Sequence, residues 1–107
     1  MQNSAPSDVL VNTRVAAGLI GRSHFTLQRA RHDRPDLHMP KAIRVGPRGI
    51  RYSLMGLHDW AAARGERLRW VDVPVSVALP AFDALAAAGL QVPGDLAALA
   101  GRVRRGR

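Results

Sequence analysis

The chain has no cysteine, which excludes disulfide scaffolds and thiolate metal centres. Acids are scarce: eight Asp+Glu stand against sixteen Lys+Arg, a formal net charge of +8 at pH 7. Lysine is nearly missing too, since every basic residue except Lys41 is arginine, whose planar fork suits phosphate oxygens and guanine edges. Nor is there an apolar run of the ~20 residues that a membrane helix needs. Pro74, Pro80, Pro93 and three aspartates interrupt the most apolar stretch, so no membrane partner is expected. The opening MQNSAPSD lacks the basic start and apolar run of a secretory signal, and cytoplasmic residence is the expectation.

What is present suffices for one compact domain, or a small domain with an appendage: 107 residues, 47% of them hydrophobic. The charge is unevenly spread. Residues 9–64 hold ten positive side chains and three acids, a net of +7. Residues 71–101 hold three acids and no positive charge, and four arginines follow at 102, 104, 105 and 107. A basic front, an apolar rear and a basic tip suggest two jobs.

Elements follow from caps and periodicity. Residues 1–8 read as a polar arm. Thr13 is the expected N-cap of a first helix running to Ile20, with Gly21 supplying the turn. Ser23 caps a second helix to His32, with Leu27 and Ala30 facing inward. Ala42–Val45 and Ile50–Ser53 read as a hairpin around a four-residue turn, Gly46 to Gly49. Its expected inward side is Ile43 and Val45 opposite Ile50 and Tyr52, leaving Arg44 and Arg51 to solvent and Arg48 at the tip. Ser53 caps a third helix carrying Leu54, Leu57 and Trp60 and ending at Gly65, with Trp60, Leu57 and Tyr52 read as core. Beyond a linker at 65–70, the alternation of Val71, Val73, Val75 and Val77 predicts an edge strand. Pro80 is expected to open a fourth helix and Asp95 to cap a last one. The expected fold is mainly α with a small β-hairpin, a winged helix-turn-helix over 9–64 followed by a strand and two short helices over 71–107.

Three segments carry a family likeness. Ala17-Gly18-Leu19-Ile20-Gly21-Arg22-Ser23 leads into Thr26-Leu27-Gln28-Arg29; Met39-Pro40-Lys41-Ala42-Ile43-Arg44-Val45-Gly46 follows; then Ile50-Arg51-Tyr52-Ser53 with Leu57 and Trp60. In this order they resemble the AlpA-type and excisionase-type small regulators of the MerR-like winged-helix superfamily, over about half the chain. Three departures stand out: Arg22 where that family is usually apolar, Phe25 where it is small, and Met39 and Ala42 in place of a Phe-Pro pair. The resemblance implies regulation of transcription, or control of excision and integration in a mobile element.

The second helix displays His24, Phe25, Gln28, Arg29 and His32 with no carboxylate until Asp33. An ordinary surface helix interleaves acids for solubility and i,i+4 pairing, so a DNA-reading role is the sharper expectation. Arg22, Ser23, His24, Phe25, Thr26, Gln28, Arg29 and His32 form the expected recognition element, with Gln28 suited to adenine and Arg29 to guanine or phosphate. Phe25 reads equally as core or as a contact to a thymine methyl. Lys41, Arg44, Arg48 and Arg51 form the expected wing contact to backbone or minor groove; as mere edge-strand charges they would block aggregation. His24, His32, His38 and His58 lack convergent partners, so neither metal nor cofactor is expected. The adjacent His58-Asp59 make no acid–base pair, and no enzymatic chemistry is expected. The expected partner is double-stranded DNA, with self-association through 71–101 and a recombinase or RNA polymerase as a further partner. The rival reading is a protein-interaction module of antitoxin or packaging-adaptor type in which DNA binding is secondary.

Overall fold

A computed structural model describes residues 9–47, 49–71 and 73–105. The expected arm at 1–8, the tip residue Arg48 and residues 106–107 lie outside the described residues, as do the side chains of Arg104 and Arg105. The chain is mainly helical with a small three-stranded antiparallel sheet. In order it forms β1 (Leu10–Val11), α1 (Thr13–Ile20), α2 (His24–His32), a 3-10 turn (Pro35–Leu37), β2 (Ile43–Arg44), β3 (Ile50–Ser53), α3 (Leu54–Ala63), α4 (Val75–Ala87) and α5 (Gly94–Arg105).

Side-chain caps set the starts of the first three helices. Asn12, rather than Thr13, caps α1: it has the extended backbone a cap needs, and its Oδ1 accepts the Val15 N–H at 2.9 Å. Ser23 accepts from the Phe25 N–H and Ser53 from the Gly56 N–H, both at 3.0 Å. The α1–α2 connection closes on Gly21, at φ 70°. There the Gly21 and Arg22 N–H groups reach back to the Gly18 and Ala17 carbonyls, a Schellman ending that leaves only three residues between the helices.

The sheet runs β1-β3-β2. Its outer strand β1, pairing Val11 with Tyr52, has no counterpart in the sequence-based expectation. The hairpin corrects that expectation in register. Ile43 pairs with Arg51 and Arg44 with Ile50, while the Val45 N–H donates to the Gly49 carbonyl at 2.9 Å. Only Gly46, Pro47 and Arg48 form the connection, one residue fewer than expected. Because side chains alternate faces, that single residue moves the whole strand's set. Arg44 shares the face of Ile50 and buried Tyr52, whereas Ile43 and Val45 lie exposed on the opposite face with Arg51. Gly49 makes the tight turn possible: a Cβ there would come within 2.5 Å of the Val45 carbonyl oxygen.

The rear is corrected more deeply. The expected strand over 71–77 is not formed among the described residues; Val75 opens α4 instead, and Pro80 sits inside it. Pro74 starts this helix, its carbonyl accepting the Val77 and Ala78 N–H groups. Ala78, Ala81, Ala84 and Leu85 then recur on one buried face, and their helical spacing outweighs the two-residue alternation of the valines. Pro80 is exposed, so the Ser76 carbonyl deprived of its donor can be met by water. Asp95 lies in the first turn of α5, which begins at Gly94, and its carboxylate accepts the Leu96 N–H at 2.9 Å.

One core joins front and rear. Leu19, Leu27, Tyr52, Leu54 and Leu57 belong to the same buried cluster as Ala78, Ala84, Leu85 and Leu96. Leu68 and Trp70 bridge them, so the segment expected as a linker is part of the core. Much of the apolar character reserved for self-association is therefore spent within the chain, leaving Val71 and Val75 as large exposed side chains of the rear, at 71% and 59%.

Candidate nucleic-acid interface

The three-residue turn projects α2 with two adjacent stripes outward. His24, Gln28 and Arg31 form one; Phe25, Arg29 and His32 form the other, at helical spacing. Phe25 is 62% exposed, which rules out the core alternative for it. Its ring leans on His24, centroids 4.2 Å apart. Ser23 and Thr26 are engaged locally: the Ser23 hydroxyl is the cap, and the half-buried Thr26 donates its N–H to the Ser23 carbonyl.

Two adjoining basic recesses lie beside α2, meeting at Arg31 and Ile50. One is lined by His24, Gln28 and Arg31 together with Arg14 of α1 and Arg51 of β3. The other brings Arg31 together with His38, Lys41 and Arg44. Among the described residues no carboxylate lines either recess. Arg31 belongs to both because it is held between elements, donating to the Tyr52 hydroxyl at 2.8 Å and more loosely to Thr13 Oγ1 at 3.5 Å. Arg14 and Arg31 were absent from the sequence-based set. Arg31 was findable, three residues beyond Gln28 on the same face; Arg14 joins only through the packing of α1 against α2.

Arg22 departs from the group. Its guanidinium donates to the Ile20 carbonyl at 3.0 Å, pairs with Glu66 at 3.3 Å and lies 5.5 Å from the Trp60 ring centre. That side chain braces the turn. Trp60 is half-buried rather than fully core, stacked also by Arg64 at 4.6 Å and donating its indole N–H to the His38 carbonyl at 2.8 Å. His38 itself takes a left-handed conformation, φ 53°, after the 3-10 turn. Within that turn Arg34 and Asp36 form a two-pronged pair, both contacts 3.0 Å. The hydrogen bond from Arg34 holds the Asp36 carboxyl below the usual carboxylate range, and Asp36 in turn raises Arg34. That loop charge is thus neutralised locally.

Among the described residues no three His, Asp or Glu side chains converge as metal ligands, and no helix is long and apolar enough to cross a membrane. Compared with known proteins, the chain matches no family model, no curated protein and no solved structure.

Proposed function

We propose that this chain binds double-stranded DNA as a winged helix-turn-helix, with α2 in the major groove and the β2–β3 hairpin against the flanking backbone or minor groove. The observation that carries this reading is the outward face of α2, whose own residues include no acid, beside two adjoining arginine-lined recesses. A helix with its side chains is about 10–12 Å across, which fits a major groove about 12 Å wide. Gln28 and Arg29 are the base readers, offering an amide for adenine and a fork for guanine. Arg14, Arg31, Lys41, Arg44 and Arg51 supply phosphate contacts that fix register without reading sequence. The AlpA-type and excisionase-type resemblance makes the role regulatory, in transcription or in excision of a mobile element.

The test is duplex binding by fluorescence anisotropy across a salt series. Each phosphate neutralised releases condensed counterions, so five to nine contacts give a log–log slope of about −4 to −8. A slope near zero, or no binding to any duplex at low salt, would overturn the proposal.

A further inference from the structure

The fold makes little use of the Phe25 ring. Tyr52 and Trp70 are buried and Trp60 and Phe82 half-buried, whereas Phe25 stands 62% exposed on the first turn of α2. A lone exposed apolar side chain needs no explanation on a surface at large; the surroundings of this one supply a reason for it. Ser23 is occupied as the helix cap, and His24 and Thr26 are half-buried, so Phe25 is the open side chain of that turn. The His24 ring packs beside it, centroids 4.2 Å apart and planes 32° apart, and limits where it can swing. One turn on, Arg29 is exposed, and its guanidinium has no ion-pair partner among the described residues.

The first turn of a recognition helix is the part that meets base edges. In the major groove the base edges offer donors, acceptors and one apolar group, the C5 methyl of thymine, which an apolar side chain such as Phe can contact. Residues four apart on a helix have Cβ atoms about 5–6 Å apart, and helical side chains tilt toward the N-terminus, which brings the long Arg29 back toward Phe25. Neighbouring bases of one strand are about 3.4 Å apart along the duplex. A ring and a fork so placed match two stacked bases, with the methyl against the ring and guanine O6 and N7 on the fork. Unmodified cytosine has no methyl to offer, but 5-methylcytosine carries the same group on the same carbon.

We propose that Phe25 reads the C5 methyl of a pyrimidine stacked beside the guanine held by Arg29. This rests on the duplex reading above and adds the step that the helix prefers: thymine–guanine, or the same step with 5-methylcytosine in place of thymine.

The experiment starts from duplexes enriched by the full chain out of a short randomised pool, and the enriched sequence is expected to hold a thymine–guanine step. Versions of it carrying thymine, deoxyuridine, cytosine or 5-methylcytosine at that pyrimidine, each with its Watson–Crick partner opposite, are compared by fluorescence anisotropy. Loss of the methyl, from thymine to deoxyuridine and from 5-methylcytosine to cytosine, should weaken binding about fourfold, the worth of burying one methyl. In Phe25→Ala, which removes an exposed side chain and so spares the core, the members of each pair should bind alike while the salt slope is unchanged. An enriched sequence without such a step, or equal binding with and without the methyl, overturns the methyl reading and leaves the duplex reading standing. Methyl sensitivity that survives Phe25→Ala overturns the assignment to Phe25. Sensitivity at thymine without any at 5-methylcytosine overturns the shared-methyl reading. Failure to enrich or bind any duplex overturns the duplex reading and this inference with it.

Discussion

Among the described residues Arg31 is the one cation that both recesses share, and its bond to Tyr52 makes a quantitative demand. Tyr52 is fully buried on β3 while Arg31 is half-buried on α2, so their 2.8 Å contact fixes the angle between helix and hairpin. A hydrogen bond to a charged group contributes ~1.5–3 kcal/mol, and partial exposure of the guanidinium brings this to about 1–2 kcal/mol. Arg31→Met keeps the aliphatic stem against the helix and removes the donors; Tyr52→Phe keeps the ring and removes the acceptor. Each single variant is expected to lower unfolding free energy by about 1–2 kcal/mol in urea melts followed by far-UV circular dichroism. The double variant should lose about 1 kcal/mol less than the two losses combined, because the second change breaks a bond already gone. Strict additivity, within ~0.5 kcal/mol, would refute the contact as a structural tie.

Base reading and backbone gripping should separate by variant: Gln28→Ala should cost about 1–3 kcal/mol on the preferred site and little on random duplex, whereas Arg51→Ala should weaken both alike, as measured by anisotropy. Cutting the chain after Arg69 should abolish cooperative thermal unfolding, since it removes Trp70, Leu85 and Leu96 from the shared core; Trp70→Ala alone should cost about 3–5 kcal/mol. A sharp melt in the fragment would show the front to be self-sufficient. At His38, whose φ is 53°, a change to Val should cost about 1–2 kcal/mol while Asn leaves the melting midpoint nearly unchanged, because Asn tolerates the left-handed region and a branched side chain does not.

The front was legible in the sequence where local chemistry is decisive. Ser23 and Ser53 cap helices because a short hydroxyl side chain can reach orphan N–H groups, and Gly21 turns the chain because it alone costs nothing at positive φ. Thr13 failed as a cap because Asn12, one residue earlier, competes for the same role. β1 escaped because two residues carry no periodicity. The hairpin's faces were misassigned because register depends on turn length, and Gly49's approach to Val45 is a backbone fact that periodicity does not encode. In the rear, alternating valines matched a strand locally, but Ala78, Ala81 and Ala84 offer a smooth face for packing, and that tertiary gain prevails. The recesses beside α2 were half legible: Gln28 and Arg51 stood out, while Arg14 and Arg31 acquire meaning only once α1, α2 and β3 are brought together. The pairing of Arg22 with Glu66 is not legible locally, because the two lie far apart along the chain.

The pairing of β1 with β3 has a kinetic meaning. β2 and β3 meet across a short connection, but Leu10 finds Ser53 only after roughly forty intervening residues have been gathered in. Closing so long a loop carries an entropy cost that the hairpin escapes. The ladder that rewards it is two residues long, reinforced by the Leu54 N–H donating to the Val9 carbonyl. β1 is therefore the last strand in and the first out. Force applied at Val9 loads this ladder before any helix, and its release uncovers Val11 and Tyr52, the residue that anchors Arg31. A pull at Val9 is thus a pull on the seat of α2.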